Sequence, residues 1–89
     1  MLRATKLRMK YGCWGSNSPE EIDQIYLYGY GWYKKDVLHD FLKENPKSIV
    51  VNIPPYPYLI PEISSRGEKY VRSNPNRYQH DDLMDLPRE

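Results

Sequence analysis

His80, Asp81, Asp82 and Asp85 form the densest set of potential metal ligands in the chain. Carboxylates and an imidazole packed this closely suit a hard divalent cation such as Mg²⁺ or Ca²⁺. The spacing is not that of a twelve-residue calcium loop, however, and the acids flank Leu83 and Leu86 within one turn. Capping is the expected role: Asp81 or Asp82 accepts backbone N–H bonds where a short helical turn begins. No metal and no other cofactor is expected. A second constellation is nucleophilic. Cys13, with His39 or His80 as base, supplies the two ends of a thiol–imidazole pair. No orienting third group accompanies them, and Cys13 shares a loop with Trp14, so a structural thiol is expected and no catalytic residue is assigned.

Three further groupings point to binding. Lys6, Arg8 and Lys10 alternate along one segment as a basic row, and Tyr26 and Tyr28 alternate along the next. Cations beside aromatics bind single-stranded nucleic acid by phosphate contact and base stacking. The same pattern also describes an ordinary solvated face with cross-strand cation–π pairs. In Pro54-Pro55-Tyr56-Pro57-Tyr58, a stiff proline segment carries two tyrosines, a composition that loses little entropy on meeting a partner protein. Tyr70 and Arg72 share a strand face, and Arg72 is expected to tie the C-terminal acids to the sheet. Gly29-Tyr30-Gly31 lacks the spacing of a dinucleotide or phosphate loop and reads as a tight strand-to-helix turn.

The elements that must position these residues follow from periodicity. Thr5, Leu7, Met9 and Tyr11 alternate with the basic row, which predicts a half-buried strand. Residues 12–21 hold Gly, Ser, Asn and Pro and predict a loop. Ile22–Tyr28 predicts a second strand with Ile25 and Leu27 on one face and Tyr26 and Tyr28 on the other, an antiparallel partner for the first. Lys34–Glu44 predicts the one helix, with Val37, Leu38, Phe41 and Leu42 as its apolar stripe, stopped at Asn45-Pro46. Ser48–Ile53 predicts a short buried strand around Ile49-Val50-Val51. The proline segment predicts an extended connector, Leu59–Ile63 an edge strand, Ser64–Gly67 a turn, Lys69–Ser73 a last strand, and 74–79 a loop. Leu83 and Leu86 then anchor a closing turn before Pro87. The expected fold is α+β in the order β-β-α-β-β-β: a small antiparallel sheet with one amphipathic helix packed on one face.

Composition sets the outer limits. Eighty-nine residues make one domain spanning 1–89. A hydrophobic fraction of 39% is low, and nine tyrosines and two tryptophans extend the core with large apolar faces that keep a polar tip wet. The net charge of +1 removes the overall basic excess common among nucleic-acid binders. A single cysteine excludes an intramolecular disulfide. No apolar run is long enough to span a bilayer, and the charged N-terminus is not a signal peptide. A cytoplasmic setting is expected.

The block Gly67-Glu68-Lys69-Tyr70-Val71-Arg72-Ser73, followed by Asp81-Asp82-Leu83-Met84-Asp85-Leu86-Pro87, resembles the bacterial domain-of-unknown-function 3892 family. Gly31-Trp32 before the single helix matches that family's first motif. Tyr70, Arg72, Asp81, Leu83, Leu86 and Pro87 match its closing one. The likeness covers residues 22 to 88. Asp82 stands where the family commonly has asparagine, and the Pro54–Pro57 segment is unusual for it. The resemblance implies a small stand-alone fold and carries over no activity, cofactor or catalytic residue.

Two functional readings stay open. One is a non-catalytic protein-interaction module, a bacterial accessory or phage or mobile-element protein, contacting another protein through Trp14, Tyr26, Tyr28, Tyr56 and Tyr58. The alternative is a single-stranded nucleic-acid-binding domain using Lys6, Arg8 and Lys10 with the neighbouring tyrosines. No membrane partner is expected, and the oligomeric state is open.

Overall fold

The computed structural model describes residues 1–74 and 81–89. The chain forms β1 (Leu2–Met9), a 3-10 turn at Pro19–Glu21, β2 (Ile22–Leu27), β3 (Gly31–Lys34), α1 (Lys35–Glu44), β4 (Ile49–Val51), β5 (Leu59–Ile63), β6 (Lys69–Ser73) and a closing 3-10 turn at Asp82–Asp85. Among the described residues the fold is α+β with one helix, as expected, and gains a strand that the periodicity did not indicate. Gly31-Trp32-Tyr33-Lys34 pairs back onto β2 before the helix begins. The turn between them puts Gly29 at its third position with φ +81°, and Tyr30 donates its N–H to the Leu27 carbonyl at 2.9 Å. Glycine adopts that backbone without a Cβ penalty, which lets the chain reverse within three residues.

The strands form two sheets instead of one antiparallel sheet: four strands in the order β3-β2-β1-β4, and a separate β5-β6 hairpin. β1 is antiparallel to β2 and parallel to β4. The parallel pair arises because α1 carries the chain from the β3 edge to the opposite edge, and a helical crossover returns a strand in its starting direction. β4 covers only the first half of β1. Beside the second half runs the C-terminal tail, where Leu7 donates to the Pro87 carbonyl at 2.8 Å and accepts from the Glu89 N–H at 2.9 Å. The proline segment is a tight turn and not an extended connector: the Pro54–Pro55 peptide is cis and Tyr56 N–H meets the Ile53 carbonyl at 2.7 Å. Beyond it, Val50 bridges to Tyr58, which joins the two sheets.

The inner face of the large sheet supplies Ala4, Leu7, Met9, Ile22, Ile25 and Leu27 to one core. The helix adds Leu38 and Leu42, the hairpin adds Leu59 and Val71, and the closing turn adds Leu83, Met84 and Leu86. The expected alternation of β1 breaks at two register shifts, so the strand ends at Met9 and Tyr11 is fully exposed. Asp81 caps the closing turn, its Oδ1 accepting the Leu83 N–H at 3.1 Å, and also receives the Ser73 N–H at 3.2 Å and the Ser73 hydroxyl. Ser73, not Arg72, therefore fastens the last strand to the acids. Arg72 reaches its diagonal cross-strand neighbour Glu62 at 3.3 Å, the nearest carboxylate on its own face.

The helix is rotated from its expected setting. Its buried residues are Lys35, Leu38, His39 and Leu42, an i, i+3, i+4, i+7 set. Val37 remains 52% exposed and Phe41 38%. The rotation has a polar cause. His39 Nδ1 donates to the Tyr70 carbonyl at 3.1 Å, and the Lys35 ammonium donates to the Glu20 carbonyl and to Glu68. These partners, on β6, in the turn before it and in the 3-10 turn before β2, offset part of the cost of burying two polar side chains. His39 Nε2 keeps no partner among the described residues.

Candidate interaction surface

The outer face of the four-stranded sheet brings together cations and rings. Lys6 stands directly opposite Tyr26, and Tyr26 opposite Trp32. The Lys6 ammonium lies 5.0 Å from the Tyr26 centroid, the Arg8 guanidinium 4.1 Å from that of Trp32, and the Arg3 guanidinium 5.6 Å from that of Tyr56. Tyr26 and Trp32 meet edge to face at 5.4 Å. The cations have polar partners as well: Arg8 bonds Gln24 at 3.0 Å, Arg3 bonds Asn52 at 3.0 Å, and Lys6 pairs with Glu89 at 2.8 Å. The Lys6 ammonium pKa is raised, first by its hydrogen bond to Glu89. Lys10 leaves the row. Beyond the end of β1 its backbone N–H binds the Glu21 carbonyl, and its ammonium turns to Glu68 at 2.6 Å.

On the other side of the sheet lies a cleft of about 320 Å³. Its floor is the buried pair Leu27 and Leu38, and around them stand Leu2, Tyr30, Tyr33, Val37 and Phe41. The helix packs more against the β5-β6 hairpin than against β2 and β3, and the cleft lies on the side turned away from the hairpin. Val37 and Phe41 sit one turn apart on α1 and project apolar surface beside Tyr33 of β3 and Tyr30 of the preceding turn.

Polar contacts, some of them buried, hold this frame in place. Lys35, at the helix start, shares Glu68 with Lys10. Hydrogen bonds from Lys10 and then Lys35 hold the Glu68 carboxyl down to about 2. The Lys35 ammonium pKa is lowered, because burial outweighs the pull of Glu68. Cys13 donates its thiol to Glu21 Oε2 at 3.1 Å, and Ser16 donates its hydroxyl to the other Glu21 oxygen. That acceptor, together with burial, pushes the thiol pKa up, the opposite of what an activated nucleophile needs. His39 has its hydrogen bond with Tyr70, so the structure forms no Cys13–His39 pair. Among the described residues no group of three or more His, Cys, Asp or Glu side chains is arranged to hold a metal ion. His80, proposed both as ligand and as base, lies outside the described residues, as does most of the loop expected at 74–79.

The five aromatic residues singled out in the sequence are spread over three regions. Tyr26 and Tyr28 belong to β2 and its turn, Tyr28 being 71% exposed. Tyr56 and Tyr58 lie on the link between the sheets, Tyr58 with Lys47 at 6.0 Å. Trp14 is half-exposed, and its carbonyl accepts from Arg88 at 2.6 Å. None of the five lines the cleft. Val37 and Phe41 were assigned to the core because they are apolar and helically spaced. The signal that separates them is a competing stripe, Lys35, Leu38, His39 and Leu42, whose spacing is the more regular. Compared with protein-family models, with curated proteins and with solved structures, the chain matches none. Among the described residues no helix is long and apolar enough to cross a membrane.

Proposed function

We propose that this chain is a non-catalytic protein-interaction module whose contact surface is the cleft between α1 and β3. The observation that carries this reading is the contiguous apolar exposure of Tyr30, Val37 and Phe41 over a buried leucine floor. Contiguous apolar surface of this kind marks association sites far more often than scattered apolar residues do. A cytoplasmic setting and a bacterial or phage origin belong to the same proposal. They rest on the lone thiol and on the resemblance of the Gly67–Pro87 block to a bacterial family. A photo-crosslinking residue at position 37 of the intact chain is expected to trap discrete adducts that disappear with Phe41→Asp. The same residue at exposed position 43 serves as control, and identical adducts from both positions would sink the proposal.

A second reading has its own observation: Arg3, Lys6 and Arg8 each sit over an aromatic ring near or on the outer sheet face. Single-stranded nucleic acid is the ligand such a face would take. The existing cation–ring contacts weigh against it, since a base must displace a cation before it can stack on Tyr26 or Trp32. A mobility shift with oligo(dT) or oligo(U) at low salt that fades as salt rises would favour this second reading.

A further inference from the structure

The two edges of the large sheet are finished differently. Beyond β4 and the second half of β1 lie Pro57, Tyr58 and the tail Pro87–Glu89, each hydrogen-bonded or bridged to the sheet. Beyond β3 lies no strand among the described residues. In an antiparallel pair, alternate residues turn their N–H and C=O groups toward the partner and those between turn them away. β3 therefore offers backbone donors and acceptors on its free side. Edges are often blunted by proline or a bulge. Gly31-Trp32-Tyr33-Lys34 contains no proline and pairs with β2 in unbroken register.

The two faces flanking this edge differ in chemistry. Tyr33 contributes to the cleft with Val37 and Phe41. Trp32, one residue earlier, lies on the outer face beneath Arg8. Lys34 follows on that same face by the two-residue period of a strand, exposed and without a salt bridge among the described residues. Its surroundings hold Lys10, Lys35 and Lys69 against Asp23, Asp36 and Glu68.

We infer that the β3 edge takes up an extended peptide by strand addition, one whose inward side chains are apolar and whose outward side chains are acidic. The apolar residues rest on Tyr33, Val37 and Phe41, and the acidic ones face Lys34. The backbone requirement selects a strand over a helix, and the lysine without a carboxylate partner selects acid over base. This deepens the interaction reading and rests on it.

Panning a phage library of random peptides about twelve residues long against the immobilised intact chain tests both levels. The expected winners alternate apolar and acidic residues. Synthetic versions should perturb the amide resonances of Gly31–Lys34 and lose roughly tenfold or more in affinity when alternate backbone nitrogens are methylated, which removes their donors. Phe41→Asp, whose exposed position leaves folding intact by a thermal melt, should abolish binding. Winners that need Phe41 but tolerate N-methylation, or that show helical i, i+3, i+4 spacing, overturn strand addition and leave the interaction reading standing. Winners indifferent to Phe41, or none at all, overturn both. A dimer by sedimentation that Phe41→Asp dissolves assigns the edge to a second copy and also overturns the peptide.

Discussion

The two faces of the four-stranded sheet treat their aromatic residues in opposite ways. On the outer face Tyr26 has Lys6, Trp32 has Arg8, and nearby Tyr56 has Arg3, so each ring meets a cation of the same chain. In the cleft, Tyr30, Val37 and Phe41 have no such covering among the described residues and remain partly exposed. Both surfaces are rich in apolar area, yet on the first the strand rings are already covered, while Tyr28 in the adjoining turn stays exposed. An aromatic residue at a surface is therefore weak evidence for a site by itself. What distinguishes a candidate site is whether the chain's own groups already satisfy it.

The sharpest way to break this comparison is on the helix, where the core and cleft stripes lie side by side. Leu42 is 1% exposed, and Leu42→Ala is expected to cost about 2–5 kcal/mol, the transfer loss plus the cavity it leaves. Val37→Ala should stay within about 0.5 kcal/mol of the parent, since half of Val37 already faces water and alanine is the better helix former. Urea denaturation of the two variants measures the contrast. Equal losses would make Val37 a core residue and the cleft a packing feature of the fold.

A smaller change is expected from the ion cluster that sets the start of this helix, and so the position of Val37 and Phe41. Glu68 is held at about 2 in the folded chain against an ordinary 4.5. A carboxyl whose pKa is lower folded than unfolded stabilises the fold above its unfolded value and loses that contribution as pH falls through its folded one. Stability should therefore decline between about pH 4.5 and pH 2. Glu68→Gln should be less stable than the parent at neutral pH, and the gap should close toward pH 2. Denaturation midpoints measured across that range decide it. A gap that persists at pH 2 would mean that Glu68 acts through shape and hydrogen bonding, not charge.

Much of the frame was legible because it rests on local rules. Asn45-Pro46 ends the helix, the Ile49-Val50-Val51 run makes a buried strand, and Asp81 caps the closing turn. The cleft was not legible because it depends on how the helix is rolled. That roll is set by Tyr70 on β6, by Glu68 in the turn before it and by Glu20 in the 3-10 turn before β2, 15 to 33 residues from their helical partners. Hydrophobicity alone ranks Val37 and Phe41 above Lys35 and His39, and only the distant hydrogen-bond partners reverse that order. β3 was hidden for a similar reason: a four-residue strand that opens on Gly31, two residues after Gly29, carries too little alternation to stand out from a turn. Arg72 was matched to the wrong carboxylate because sequence does not show that Glu62 lies diagonally across the hairpin.

The smallest effect belongs to the outer face, and it tests whether that face is as complete as its contacts imply. Arg8→Ala removes the guanidinium above Trp32 and its bond to Gln24. The expected cost is about 0.5–1 kcal/mol, the usual scale of a cation–π contact at a partly exposed site. With Trp14→Phe in the background, Trp32 is the one tryptophan left, so its fluorescence reports this face alone. Removing the cation should leave the ring more hydrated and shift its emission to the red. Oligo(dT) at low salt should quench neither the parent nor the variant. Quenching in the parent that Arg8→Ala abolishes would turn the outer face into the functional one and reverse the contrast with the cleft.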